Sequence, residues 1–329
     1  MQTPSPMEES PSPSNRARRE TGRSFRWVAP ASIVLFAFML VNSAVFGAGV
    51  DFCKRTTEAA LSSCKAGAQS DYSLALGKCD NLADAAARKV CQQQALADRK
   101  DALQTCKEQH DARQTVCARL GGAPYDPGID PSNFVATIDN PFMALTPGTS
   151  FIYTGQVAQV VESNVVFVTH NTKVIDGVTC VEVRDTVFED GVLTEDTLDW
   201  FAQDKAGNVW YFGENAKQLA GGLIVGLEGS FTAGVDGAKP GIVMEAPPAV
   251  SDFYRQEFLL GDAEDIAQVG SLTNSVTVAF GSFTNCLKTI ETSPLEPGAL
   301  DNKFYASGIG LLLTIDLVSG ERLELVQIQ

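Results

Sequence analysis

Apolar and polar residues change their rhythm twice along this chain. From Trp27 to Val50 there is no charge, and the apolar heart runs from Ile33 to Val41. Residues 51–118 hold no proline and are rich in Ala, Leu, Lys, Gln, Asp and Arg, a composition that predicts helix. Beyond residue 149 the rhythm becomes two. Leu198, Trp200 and Ala202 alternate with Asp199, Phe201 and Gln203. Val276, Val278 and Phe280 alternate with Thr277 and Ala279, and Leu311, Leu313, Ile315 and Leu317 with Leu312, Thr314 and Asp316. Short alternating runs between turn residues predict an antiparallel sheet with one buried face. Turns are expected at Ile175–Gly177, Glu189–Gly191, Lys205–Asn208 and Val318–Gly320. No long helical pattern interrupts the strands, which argues against a parallel α/β sheet. The fold class read from this pattern is α+β. A disulfide-stapled antiparallel helical hairpin precedes an antiparallel β barrel, half-barrel or sandwich.

The segments follow from the same changes. Residues 1–26 are polar, with Arg16, Arg18, Arg19, Arg23 and Arg26, and read as a disordered basic n-region. Residues 27–49 read as a signal peptide, with Gly47-Ala48-Gly49 as its cleavage site, or as an uncleaved membrane anchor. Either reading exports the rest, to a periplasmic or extracellular site, with inner-membrane anchoring under the second. The cysteine-rich hairpin spans 51–118. Residues 119–149 carry Tyr125-Asp126-Pro127-Gly128, Asp130-Pro131, Asn140-Pro141 and Pro147-Gly148, and read as a linker or a strap. The β domain takes residues 150–329.

Six of the eight cysteines lie at Cys53, Cys64, Cys79, Cys91, Cys106 and Cys117, at intervals of 11, 15, 12, 15 and 11. That series reads the same in both directions. Intervals of 11 and 15 are close to whole helical turns, so each set of three stays near one helix face. Nested pairs Cys53–Cys117, Cys64–Cys106 and Cys79–Cys91 would then staple an antiparallel hairpin like rungs. The centre of the palindrome falls at Ala85, in a helical-looking stretch, whereas Asp80-Asn81 is the better turn signal. Gly67 and Gly77 are expected to interrupt the first helix. Parity then predicts a fourth disulfide, Cys180–Cys286. There is no C-x-x-C to hold zinc or haem.

Charge narrows the partners. The chain has 25 Lys+Arg against 40 Asp+Glu, a formal charge of -15. Residues 51–113 are nearly neutral, and residues 118–329 alone carry -18. Nucleic acid, which needs clustered basic residues, is excluded. No resident cofactor is expected. The sharper reading of the acid excess is a Ca²⁺ site from Asp126, Asp130 and Asp139, because calcium takes several oxygen ligands; the blander one is solubility.

The densest motif is the hairpin Glu195–Glu214, which holds two of the three tryptophans. Trp200 and Trp210 are expected to pack across the strand pair. Trp200, Trp210 and Phe212 could instead floor a ligand site rimmed by Asp199, Glu195 and Glu214. Tyr254-Arg255-Gln256-Glu257, followed by Gly261–Asp265, forms a second candidate cluster, in which Tyr254 and Arg255 are the candidate ligand residues and Arg255 is expected to pair with a carboxylate. His110 is expected to be solvated and His170 to be structural, at a strand end.

Four segments together resemble an uncharacterised family of exported bacterial β-domain proteins. They are Pro124–Pro127 with Asp139–Phe142, the hairpin Asp199–Glu214, Tyr254–Asp265, and Cys286–Lys288 through Pro294–Pro297 to Tyr305–Gly310. The Tyr305–Leu311 ending is also similar, more weakly, to the closing strands of lipoprotein-carrier half-barrels. The resemblance implies export and a β domain and assigns no site residue. No catalytic residue is assigned: there is no G-x-S-x-G, H-E-x-x-H, P-loop or dinucleotide fingerprint. The leading expectation is an exported binding or carrier module, with the hairpin as spacer or cap and an apolar small molecule as partner. The alternative is a structural or interaction module that contacts an envelope protein. A hydrolase using paired carboxylates comes third. The membrane is a partner only through an uncleaved N-terminal segment.

Overall fold

The computed structural model describes residues 50–157 and 159–329. The basic n-region, the signal or anchor segment 27–49 and its cleavage site lie outside the described residues. Among the described residues no helix is long and apolar enough to cross a membrane.

The first element is the helical hairpin, α1 Phe52–Asp80 and α2 Ala85–Leu120. Asp51 caps α1 by accepting from the Lys54 amide at 2.8 Å, and Asp84 caps α2 by accepting from the Ala87 amide at 2.7 Å. The turn therefore lies at Asn81–Asp84, next to the Asp80-Asn81 signal and not at the palindrome's centre. Gly67 and Gly77 do not interrupt α1, which runs unbroken through both. The three nested disulfides Cys53–Cys117, Cys64–Cys106 and Cys79–Cys91 are present, with Cα–Cα distances of 5.7, 5.7 and 5.5 Å. Their energetic role follows from what the hairpin lacks. Its buried residues are Thr57, Ala60, Ala68 and Cys79 on α1 and Ala95, Cys106, Arg113 and Val116 on α2. So few small apolar groups cannot hold two long helices together, and the cross-links supply the constraint by restricting the unfolded chain. His110 is not simply solvated. Its Nε2 lies 3.2 Å from Glu58 Oε1 across the hairpin. Disulfides of this density fit an exported protein in an oxidising compartment.

The second part is a nearly closed barrel of antiparallel strands. Ser150–Val157 pairs with Val160–Ile175, and the ladder continues through Val178–Glu189, Val192–Asp204 and Val209–Asn215 to Lys239–Met244. In the other direction Ser150–Val157 pairs with Arg322–Ile328, followed by Gly310–Asp316, Asp301–Ala306, Gly281–Thr292 and Ile266–Val278. The arms meet across residues 253–258. Phe253–Arg255 pairs with Ile266–Val278, while Glu257–Phe258 reaches the other arm only at Lys239↔Phe258 and Pro240↔Glu257. Closure covers the backbone edges that an open sheet would expose. At two hairpins, Asp176-Gly177 and Asp190-Gly191, both turn residues have positive φ (50° and 78°, 48° and 79°). That is the twist-matched two-residue turn, which Asp-Gly tolerates.

Residues 121–149 are a strap. Phe134 and Val135 pair with Asp204 and Gln203, and the Gln203 side-chain oxygen accepts from the Asp139 and Asn140 amides at 2.9 and 2.8 Å. The expectation of one buried sheet face is corrected by this strap. On strand Val192–Asp204, Trp200 and Ala202 are buried outside the barrel with Phe212 and Cys180, under Ile129 and Phe134. Asp199 and Phe201 face the lumen. The main apolar core, which includes Val168, Leu287, Leu312 and Leu325, takes in Ile138 and Leu145 of the strap and the lumen-lining Phe151, Tyr153, Val183 and Tyr305.

The predicted Cys180–Cys286 disulfide does not exist; both are buried free thiols. Parity failed because the two side chains belong to separate apolar clusters, Cys180 beside Trp200 and Phe212, Cys286 in the main core. Buried free cysteine behaves there as a small hydrophobe.

Candidate functional site

The lumen holds a cavity of about 290 Å³, at the lower end of the range for small-molecule sites. Nearly every strand of the barrel sends a side chain into it. At one end the strap hairpin Phe142–Leu145, with Phe151, Val166 and Leu311, forms an apolar floor. The other end opens into a wider mouth of about 680 Å³, and Tyr211, Glu257, Asp265, Glu291 and Lys303 border both spaces. The cavity thus grades from apolar to acidic.

Sequence sets up this gradient by period two. Val183 and Asp185, Phe201 and Asp199, Thr289 and Glu291, Tyr305 and Lys303 are each two residues apart on one strand, and so share a face. All of these but Thr289 line the cavity, and Glu291 and Lys303 also border the mouth. Strand Val209–Asn215 departs from the rule. Tyr211 and Glu214 are three apart, yet both point inward. The register shift between Trp200 and Phe201, which pair with Gly213 and Tyr211, leaves Phe212 as a bulge residue facing out. Gly213 at φ +147° makes that possible, and a Cβ there would stand 2.4 Å from the Phe231 carbonyl oxygen.

The bulge brings Tyr211 between two carboxyls. Its hydroxyl donates to Asp199 Oδ1 at 2.5 Å and to Glu214 Oε2 at 3.0 Å. One phenolic hydrogen cannot serve both fully; a proton on Glu214 would give the second contact its own donor. Burial pushes Glu214 up to about 7, with Glu195, Asp265 and Asp185 adding to the shift against the Tyr211 hydrogen bond. Burial also pushes Asp185 up to about 7, opposed by the Asn164 amide that donates to it at 2.6 Å. Asp199 and Glu257 are raised well above the carboxylate range, first by burial and then by the neighbouring acids. Tyr211 stacks on Phe201 at 4.8 Å between ring centroids. Lys303 reaches Glu291 Oε2 at 2.7 Å. Burial works against its ammonium, but Glu291, Asp265 and Asp301 outweigh it and raise its pKa.

The residues singled out by sequence separate into groups. Asp199 and Glu214 border the lumen and its mouth. Trp200, Trp210 and Phe212 do not; they pack outside, where Phe134 meets Trp210 and Phe212 edge-on at 6.3 and 5.4 Å. Trp200 and Trp210 are not directly opposed, because Trp200 faces Gly213 and Trp210 faces Ala202. Tyr254 belongs to the main core. Arg255 lies against the rings of Phe258 and Tyr125, 4.5 and 5.4 Å from their centroids.

The three expected calcium ligands are not brought together. Asp126 accepts from Lys239 Nζ at 3.0 Å, Asp130 caps Pro131–Asn133 through the Ser132 amide, and Asp139 accepts from the Gln203 amide nitrogen at 2.6 Å. Among the described residues no group of three or more His, Cys, Asp or Glu could hold a metal ion. The Pro-rich segment spends its carboxylates on tying the strap down. His170 is exposed against Gly148 and does not border the cavity. Gln256 and Glu257 of the second cluster do line the cavity, whereas sequence reasoning missed Asp185, Tyr211, Glu291 and Lys303. For Asp185 and Lys303 the available signal was a charge two positions from an inward apolar residue, Val183 and Tyr305.

Compared with known protein families and with curated proteins, the chain matches none. Among solved structures it is similar to one described as a "putative lipoprotein" from Parabacteroides distasonis, at 12% identity and a TM-score of 0.32, covering 59% of this chain and 100% of that one. A likeness of that size assigns neither a function nor a site residue.

Proposed function

We propose that this protein is an exported binding or carrier module that takes a small molecule in the barrel lumen. The observation that carries the reading is the cavity itself. A barrel of more than about eight strands can enclose a ligand space that its own side chains do not fill, and this one keeps about 290 Å³ open between an apolar floor and a polar mouth. Protein interiors are otherwise close-packed, and unfilled space costs stability. The helical hairpin acts as a cap and spacer. Gln109 of α2 borders the mouth and donates to the Leu295 carbonyl at 2.8 Å, which sets the hairpin at the rim. Native mass spectrometry of the full chain, purified from its own cell envelope without reductant, tests the reading. A bound mass that is lost on denaturation, and lost in Val166→Trp, is the expected result. A clean polypeptide mass in both proteins overturns it.

A further inference from the structure

Resting on that lumenal reading, we infer that the ligand is a small organic cation, a protonated amine on an apolar body, with its ammonium at the acidic end of the lumen and its body on the floor. Three observations carry this. The first is the charge imbalance within the cavity. Asp185, Asp199, Glu257, Asp265 and Glu291 line it against one ammonium, Lys303, which Glu291 already engages. Carboxyls away from water must be paired or protonated. An anionic ligand would add to the repulsion, and a neutral one would leave it standing.

The second is Gln256. It is 8% exposed and lines the cavity. Its backbone amide donates to the Asp265 carbonyl, but among the described residues its side-chain amide has no hydrogen-bond partner. The amide opens onto the cavity rather than onto a protein partner. Its carbonyl oxygen is free to accept from an ammonium hydrogen beside the Glu257 carboxylate. The third is the floor of Phe142, Met143, Leu145, Phe151 and Leu311, which can cover an apolar body but offers nothing to a hydrated ion. With no metal-holding cluster among the described residues, the cation that fits is organic.

Isothermal titration of the full chain near pH 7 tests the inference with three probes of similar shape: 2-phenylethylamine, 2-phenylethanol and 3-phenylpropanoate. The amine should bind about tenfold or more tightly than the alcohol, and the propanoate should give no heat. Asp199→Asn with Glu257→Gln should erase the preference for the amine and leave the alcohol's affinity in place. Gln256→Leu should weaken the amine by a smaller factor. Binding of the amine should release protons, seen as a dependence of the heat on buffer ionisation, because Asp185, which burial raises to about 7, gives up its proton beside an ammonium. If the alcohol or the propanoate matches the amine, the cation class is wrong and the lumenal reading stands. If no probe binds but envelope material carries a bound mass, the cation class again falls alone. If no probe binds and no mass is found, both fall.

Discussion

Arg113 of α2 lays its guanidinium along the carboxylate of Glu264, 151 residues away, with Nε at 3.0 and 2.9 Å from the two oxygens and Nη2 at 2.7 Å from Oε1. Both side chains are almost fully buried. The pair joins the stapled hairpin to the barrel. Arg119 extends the joint, stacking 3.7 Å from the Phe253 ring centroid and donating to Gln268 at 2.8 Å.

This joint predicts an asymmetry between its two partners. Glu264 also accepts from the Gly261 amide at 2.8 Å and attracts the buried Arg255. Glu264→Met leaves two buried guanidinium groups without a counter-charge and should cost about 3–5 kcal/mol. Arg113→Met leaves Glu264 with its other partners and should cost less. The double variant should be more stable than the sum of the two losses implies. Urea unfolding of the four proteins checks this; equal losses for the single variants would contradict it.

The cysteines predict a specific mass and a specific reactivity. The oxidised chain should be six hydrogens lighter than the fully reduced one, not eight. Two thiols should react with a maleimide only after denaturation, because burial pushes Cys180 up to about 12 and raises Cys286 as well. Rapid labelling of either in the native protein would sink this account.

Lumenal acids set the pH dependence of stability. Burial raises Asp185 from 3.8 and Glu214 from 4.5, each to about 7. Between those values the folded chain holds protons that the unfolded chain has released, so these two groups make stability fall as pH rises from about 4 to about 7, and the raised Asp199 and Glu257 act in the same direction. Asp196, which the Arg184 hydrogen bond holds low, acts oppositely and only below about pH 4. The Tm should be higher near pH 5 than near pH 7.5, and Asp185→Asn should flatten the difference. A Tm that climbs across that interval would refute the assignment.

Gly213 holds the bulge that turns Glu214 inward. Gly213→Ala forces a Cβ to within 2.4 Å of the Phe231 carbonyl oxygen at φ +147°. The expected cost is about 1–3 kcal/mol. Amine affinity should fall as well, since Tyr211 loses its second carboxyl. Denaturant melts and titration with 2-phenylethylamine read both effects, and an unchanged melt would show that the bulge tolerates a side chain.

The palindromic cysteines determined the hairpin's partners, because helical periodicity leaves one way for equal intervals to meet on two antiparallel faces. Asp-Gly pairs determined two hairpin turns, since few other dipeptides take positive φ twice in succession. Alternation found the strands, and with them Asp199 and Glu214 as residues of interest. What period two could not decide is which face is inside. Trp200 and Phe212 carry the strongest apolar signal in their hairpin, yet closure turned them outward and the strap then buried them. The same closure gathered Asp185, Glu257, Glu291 and Lys303 from separate strands into one lumen. Parity likewise proposed a Cys180–Cys286 bond, but the fold buries the two thiols in separate apolar clusters. Patterns within a strand are local and can be read from the chain. Inside and outside belong to the closed sheet, and only the tertiary structure sets them.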